Sequence, residues 1–437
     1  MQEITYLKKQ AAEENVMKTP RFILLFSLCI LIGYGCTPSP TQTTESIPTE
    51  GAATESPIAT TTVDFEVTDF PKAQSHWLTS GSDGNLYLIY GQYNSLFVAR
   101  STDGGQTFSE PVLATGDKPV HVLPIERPAI AIGQDGHVGI AWLEMPPDFH
   151  GAKIWYAASE DGGATFKPGQ LVADEPDGEV AMVQVALDKA RNPILAWLNG
   201  SKLKFARSFD QGFTFSETAS IGDGSCECCQ PQSFVTGENI HIAYRSLEPG
   251  NDKGDIRDIV MTHSEDGGQT FQPVTRVSDT HWYLPACPIA GPSLAIHEGT
   301  FYIAWMDGRS EPPGTFSRGD IWLASSHDGG KTFSRNIRIN PDQSTHHTLP
   351  SVAIGPGGRI HIAWEAQASD TREAFLYYTT SDDGGQTFAL PQTIAANTDE
   401  TRGSPGKPVL AIDSVGRVAL AWLDRQGVHI ATWTDMK

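Results

Sequence analysis

Short runs in which apolar residues alternate with small or polar ones recur along the chain, each ending in a turn rich in Gly or Asp. Arg127-Pro-Ala-Ile-Ala-Ile132 leads to Val138-Gly-Ile-Ala-Trp142, and Gly291-Pro-Ser-Leu-Ala-Ile296 leads to Phe301-Tyr-Ile-Ala-Trp305. Leu349-Pro-Ser-Val-Ala-Ile354 leads in the same way to Ile360-His-Ile-Ala-Trp364. A third run follows, such as Ile154-Trp-Tyr-Ala-Ala158 or Ile321-Trp-Leu-Ala-Ser325, and a fourth, such as Pro111-Val-Leu113. A period of two between turn signals predicts antiparallel strands. Four strands per unit, repeated along the chain, predict a β-propeller.

The blade count follows from what is left over. Lys407-Pro-Val-Leu-Ala-Ile412, Val418-Ala-Leu-Ala-Trp422 and Val428-His-Ile-Ala-Thr-Trp433 make three strands with no fourth. Near the other end, Val63 to Phe70 reads as one orphan strand. Joined, they complete a blade and remove two exposed sheet edges. The expected fold is therefore all-β: a seven-bladed β-propeller of four-stranded antiparallel blades, closed by pairing of the N- and C-terminal strands. A six-bladed ring is the alternative.

One motif falls between the third and fourth runs of the units. It reads Ser101-Thr-Asp-Gly-Gly-Gln-Thr-Phe108, and returns as 159–166, 208–215, 264–271, 326–333 and 381–388. Its Asp can accept hydrogen bonds across a hairpin turn, its Gly supplies positive φ, and its aromatic pins the turn to the sheet. Asp103, Asp161, Asp210, Asp266, Asp328 and Asp383 are accordingly read as structural. This motif is the Asp box, S-x-D-x-G-x-T-F/W. Through it, residues 63–437 resemble the sialidase superfamily, the BNR-repeat neuraminidases. The resemblance implies a propeller with a pocket facing carbohydrate, and possible activity as an exo-α-sialidase type of glycoside hydrolase. Catalytic sialidases also carry an Arg-Ile-Pro motif, an Asp acid/base and a Tyr–Glu nucleophile pair. Here Glu126-Arg127-Pro128 lacks the Ile, and a seventh blade departs from the familiar six. Asp boxes also occur in xyloglucanase-like hydrolases and in non-enzymatic assembly factors, so fold leaves activity open.

Charge and address narrow the partners. The 437 residues carry a formal charge of −21, which argues against nucleic acid and leaves membrane contact to an N-terminal lipid anchor alone. Lys18 and Arg21 precede an apolar run, Phe22 to Ile32, of signal-peptide length, and Met17 is the expected start. Cys36, after Gly-Tyr-Gly, resembles the lipidated Cys of a bacterial lipobox, although Gly33 stands where Leu or Val is usual. Residues 1–35 thus read as leader and signal peptide. Residues 36–62, nearly all Thr, Ser, Pro, Glu and Ala, read as a disordered tether. Residues 63–437 read as the propeller of an exported, membrane-anchored lipoprotein on the extracellular or periplasmic face.

Candidate chemistry gathers in loops expected opposite the Asp boxes. Arg127, Arg245, Arg309 and Arg402 are candidates to bind a ligand, because convergent guanidinium forks hold a carboxylate bidentately. Glu144, Asp307 and Glu365, with Glu126 and Asp424, are candidate acid/base carboxylates, and Tyr283 a candidate nucleophile. Cys226, Cys228, Cys229 and Cys287 are expected to cluster as two disulfides or as a metal site with or without His281. No other cofactor is expected. Two functions stay open: a glycan-directed hydrolase, and a non-catalytic propeller binding glycan, protein or metal.

Overall fold

The computed structural model describes residues 66–342, 345–368, 371, 373–397 and 403–434. The signal segment, Cys36, the tether and Arg402 lie outside the described residues. Those described form strands throughout, with only two short 3-10 turns.

Seven antiparallel sheets have four strands each. Sheet 1 comprises Ser75–Ser80, Leu86–Gln92, Ser95–Ser101 and Val112–Leu113. Sheet 2 comprises Ala129–Ile132, Val138–Glu144, Ala152–Ser159 and Gln170–Glu175, and sheet 3 Val180–Leu187, Pro193–Asn199, Lys202–Arg207 and Ala219–Asp223. Sheet 4 comprises Gln232–Thr236, Asn239–Arg245, Ile259–Ser264 and Thr275–Arg276. Sheet 5 comprises Ser293–His297, Thr300–Asp307, Asp320–Ser326 and Ile337–Arg338. Sheet 6 comprises Thr345–Ile354, Ile360–Ala368, Ala374–Ser381 and Gln392–Asn397. Sheet 7 takes Gly406–Ile412, Arg417–Leu423 and Gly427–Thr434 from the end of the chain and Glu66–Pro71 from its other end. There Phe70 sits opposite Val428, and Thr68 opposite Ile430. An eighth, three-stranded sheet of Glu248–Asn251, Gly254–Ile256 and Tyr283–Leu284 was not anticipated from the repeats.

The second strand of each unit is apolar on both faces, because it is covered by neighbouring sheets on each side. Trp142, Trp197, Trp305 and Trp364, each ending such a run, are fully buried. Burial of side chains this large dominates the stabilisation, at roughly 25 cal/mol per Å² of apolar area. The core is divided into clusters that join consecutive sheets. Ile89 and Ile140 share one cluster between sheets 1 and 2, and Trp197 and Ile154 another between sheets 2 and 3. Leu88 of sheet 1 likewise shares a cluster with Val428 and Phe70 of sheet 7. Hydroxyls reinforce the joints: Val352 N–H donates to Ser293 Oγ at 3.0 Å, and Leu410 N–H to Ser351 Oγ at 2.9 Å.

The six Asp boxes have one geometry. Ser101 Oγ donates to Asp103 Oδ1 at 2.8 Å and accepts Gly105 N–H at 2.7 Å. Thr107 donates through its N–H to Oδ1 at 3.0 Å and through its hydroxyl to Oδ2 at 2.5 Å. In the Asp161, Asp210, Asp266, Asp328 and Asp383 boxes the threonine hydroxyl leads the interactions that hold the carboxyl at about 2. Asp103 reaches about 2 despite burial acting in the opposite direction. With every carboxylate oxygen engaged inside its own turn, the boxes act as structural clasps.

Candidate functional site

The site begins with an irregularity in the first strands of three sheets. Pairing slips between Ala181 and Gln184, between Thr348 and Ser351, and between Gly406 and Val409. Inside each slip one residue has positive φ: Met182 at 61°, Leu349 at 48° and Lys407 at 56°. Such bulges re-aim a side chain out of the regular alternation. A left-handed backbone at a residue other than glycine costs about 1–3 kcal/mol, and such strain clusters at functional positions.

Two of these bulges border a cavity of about 1010 Å³, whose lining includes Lys72, Leu349, Glu365, Lys407, Asp424 and Arg425. Glu365, on the second strand of sheet 6, accepts the Lys407 N–H on Oε2 at 2.9 Å. Gly406 permits that approach, since a Cβ there would run into the same carboxylate oxygen. Burial pushes the Glu365 carboxyl above the usual range, opposed by the Lys407 N–H and by the charges of Lys407 and Arg127. Burial brings Lys407 down to about 8 and Arg127 to about 10, with Glu365 opposing each fall. His76 is lowered to about 3 by burial, then by the charges of Arg127 and Lys407, so it is neutral near pH 7. Asp424 lies 2.9 Å from His429, which also meets Asp69. This wall thus offers a carboxyl whose pKa burial raises, a cation beside it, and a second acidic group.

The other singled-out residues have different surroundings. Glu144 accepts the Trp155 indole N–H at 2.7 Å, and Glu126 accepts Met182 N–H at 3.2 Å. Asp307 is buried, accepting Trp305 Nε1 at 2.8 Å and pairing with Arg309 at 2.7 Å. Tyr283 pairs with Ile256 in the three-stranded sheet and is not among the residues lining the large cavity.

The three described arginines have separate partners. Arg127 stacks over Trp77 at 5.2 Å, and its backbone exchanges hydrogen bonds with the Gln230 amide. Arg245 is 1 % exposed, and its three guanidinium nitrogens donate to the carbonyls of Ala290, Arg257 and Met306 at 2.7–2.8 Å. Arg309 is spent on Asp307, Asp279 and Asn336. Of the three, only Arg127 interacts with a residue lining the large cavity, Glu365.

Sequence reasoning did not single out Lys407 or His76. The clue for Lys407 was the position before Pro at the start of five units, where Arg127, Gln230, Gly291, Leu349 and Lys407 stand. Equivalent positions of a radial repeat face a shared centre, so the charged members of that set were the ones to follow.

The four cysteines do come together. All four sulfurs lie within 4.8 Å of one another, with Cys228 and Cys287 joined as a disulfide. Cys226 and Cys229 are free and buried. Burial raises the Cys226 thiol, but the Cys229 thiol and the Arg257 and Arg245 charges outweigh it and bring it to about 7. Burial and Cys226 push the Cys229 thiol well up. His281 is exposed and stands outside the sulfur group.

Residues 146–362 match the family model of the BNR repeat-like domain. A search of curated protein sequences finds no match. Among solved structures, the chain is similar to an α-L-arabinofuranosidase from Fusarium graminearum bound to an iminosugar inhibitor. That pair has 15 % identity and a TM-score of 0.51, covering 85 % of this chain and 98 % of the other. It is also similar to an α-L-arabinanase of Penicillium chrysogenum complexed with arabinobiose, with 13 % identity and a TM-score of 0.50, covering 86 % and 98 %. A polysaccharide lyase acting as an ulvan lyase gives 14 % identity and a TM-score of 0.50, covering 84 % and 95 %. At these identities the similarity concerns fold. The six Asp boxes and the run of four-stranded antiparallel sheets accord with that match, which makes residues 146–362 similar to the BNR repeat-like domain.

Proposed function

We propose that this propeller recognises extracellular glycans in the cavity bordered by Glu365, Lys407 and Asp424, and cleaves a glycosidic bond there with Glu365 as proton donor. The observation that carries the reading is the half-buried Glu365 carboxyl, raised above its usual range and lining a cavity large enough for a sugar. A glycosidase needs one carboxyl held protonated to assist the leaving group and a second carboxylate to activate water or attack. Asp424 lines the same cavity and is the candidate for that second role. The glycan-directed activities named for the arabinofuranosidase, the arabinanase and the ulvan lyase lend support on the same fold. The exo-sialidase variant has less behind it, because Arg245 and Arg309 are committed to partners of their own. An acidic sugar would instead meet Lys407, with Arg127 behind it.

The proposal extends to the whole assembly. The seven sheets form a closed seven-bladed ring, supported by the core cluster shared by sheets 7 and 1 and by the pairing of Glu66–Pro71 with Gly427–Thr434. The chain is exported and held at the cell surface by a lipid on Cys36. Cys36→Ala should therefore move the protein from the membrane fraction to the soluble one, and unchanged partition would remove the anchor.

The activity is tested on fluorogenic glycosides that include an α-L-arabinofuranoside, neutral β-glucosides and a sialoside. Turnover should appear on at least one, and Glu365→Gln should cut kcat about 100-fold or more with binding retained. Binding without turnover on any glycoside would leave a non-catalytic glycan receptor. Neither binding nor turnover would discard the reading.

A further inference from the structure

We propose that Cys226, Cys228, Cys229 and Cys287 form a closed tetrahedral thiolate site for one divalent metal ion, zinc being the expected occupant. The Cys228–Cys287 disulfide is the oxidised, metal-free form of that site. The site is separate from the glycan cavity, and none of its cysteines lines that cavity.

The geometry is that of a coordination shell. Zinc–sulfur bonds of about 2.3 Å give a tetrahedron with edges of about 3.8 Å. Cys226 Sγ lies 3.7 Å from Cys228 Sγ and 3.9 Å from Cys287 Sγ, and Cys228 Sγ lies 3.9 Å from Cys229 Sγ. Three edges therefore already have tetrahedral length. The Cys226–Cys229 edge, at 3.0 Å, and the bonded Cys228–Cys287 edge must open. A set of four sulfurs at tetrahedral spacing favours zinc or iron over the hard, oxygen-seeking cations.

Burial and charge fit as well. Cys226, Cys228 and Cys229 are 0, 2 and 1 % exposed and Cys287 is half-buried, so the sulfurs are largely shielded from water, as in structural sites. Four thiolates around a divalent ion leave a net charge of −2 that the interior must balance. Arg257 Nη1 donates to Cys226 Sγ at 3.0 Å, and Cys226 N–H donates to the carbonyl of the buried Arg245 at 2.9 Å. These two arginines supply two positive charges beside the sulfurs. Such outer partners orient and tune a metal shell.

The Cys228–Cys287 bond leaves Cys226 and Cys229 as a buried thiol pair inside an exported chain, hydrogen-bonded by a guanidinium. Loading balances as follows. A dithiol reductant passes two electrons and two protons to the Cys228–Cys287 bond and becomes a disulfide itself. The four thiols then release four protons as the divalent ion binds.

The test uses the whole chain, reduced with a dithiol, stripped of metal and kept anaerobic. Cobalt(II) added as a probe should give the charge-transfer and visible bands of a tetrahedral four-sulfur complex at one equivalent. One equivalent of zinc(II) should abolish them, and zinc should protect all four cysteines from alkylation in the native protein. Arg257→Gln should weaken zinc binding about tenfold while the cobalt spectrum keeps its shape. A cobalt complex without sulfur bands would overturn the proposal, as would Cys226, Cys228, Cys229 and Cys287 all reduced and binding no metal. Because the wild-type protein gives the decisive reading, misfolding of a cysteine variant cannot obscure it.

Discussion

Glu365 on one sheet receives the backbone N–H of Lys407 from the next, 2.9 Å away, and both residues line the same cavity. The contact depends on Gly406, whose missing side chain lets the carboxylate approach. It also couples the two charges, because Glu365 raises the pKa of the very lysine that burial has lowered.

Binding of an anionic glycan should therefore respond to mildly alkaline conditions. Lys407 sits at about 8 rather than its ordinary 10.5, so its ammonium is present below that value and is lost as pH rises through it. Affinity for a uronate or sialate should fall between about pH 7 and 9, whereas affinity for a neutral sugar should change little. Lys407→Met should flatten that difference. Isothermal titration with an acidic and a neutral ligand at several pH values measures it.

Acid should loosen the turns together. The box carboxyls sit at about 2 when folded, below the ordinary 3.8 of an aspartate. Their folded pKa is depressed, so their contribution is complete above the unfolded value and is lost as pH falls through the folded one. Thermal midpoints should drop progressively from about pH 4 to pH 2. Asp161→Asn should lower the midpoint by a few degrees at pH 7 and make it less sensitive to acid. Calorimetry across that range decides it.

The joint between the chain's two ends can be weighed by one substitution. Phe70 is buried with its ring 5.5 Å from both Tyr90 and Phe108, which belong to sheet 1 and its Asp box. Phe70→Ala should destabilise the protein by about 3 kcal/mol, as large cavities at aromatic core positions do. A loss under about 1 kcal/mol in urea unfolding would mean that the joint contributes little.

Much of the architecture was legible because it is written in local patterns. Each Asp box carries its whole hydrogen-bonding set within eight residues, and the three strands at 407–433 announce a missing fourth by their own count. The fate of Arg245 was not legible. Its three acceptors are backbone carbonyls at 257, 290 and 306, and no residue type marks them in advance. The setting of Tyr283 was not legible either: its loop pairs with Gly254–Ile256 in a small sheet that the repeat does not contain. The cysteine cluster lay between these extremes. Residue type and spacing brought the four together, but the guanidinium that meets Cys226 comes from a loop 31 residues away.

The bulges at Met182, Leu349 and Lys407 separate a task of folding from a task of recognition. Residues flanking each bulge keep the strand pairing, while the bulged residue itself is released from it. Leu349 and Lys407 occupy equivalent places in consecutive sheets, yet one presents an aliphatic surface and the other a cation to the same cavity. The run of sheets thus offers interchangeable sockets. On the proposed function, exchanging a single side chain at one socket would redirect ligand preference while the clasps and tryptophans that hold the sheets stay untouched.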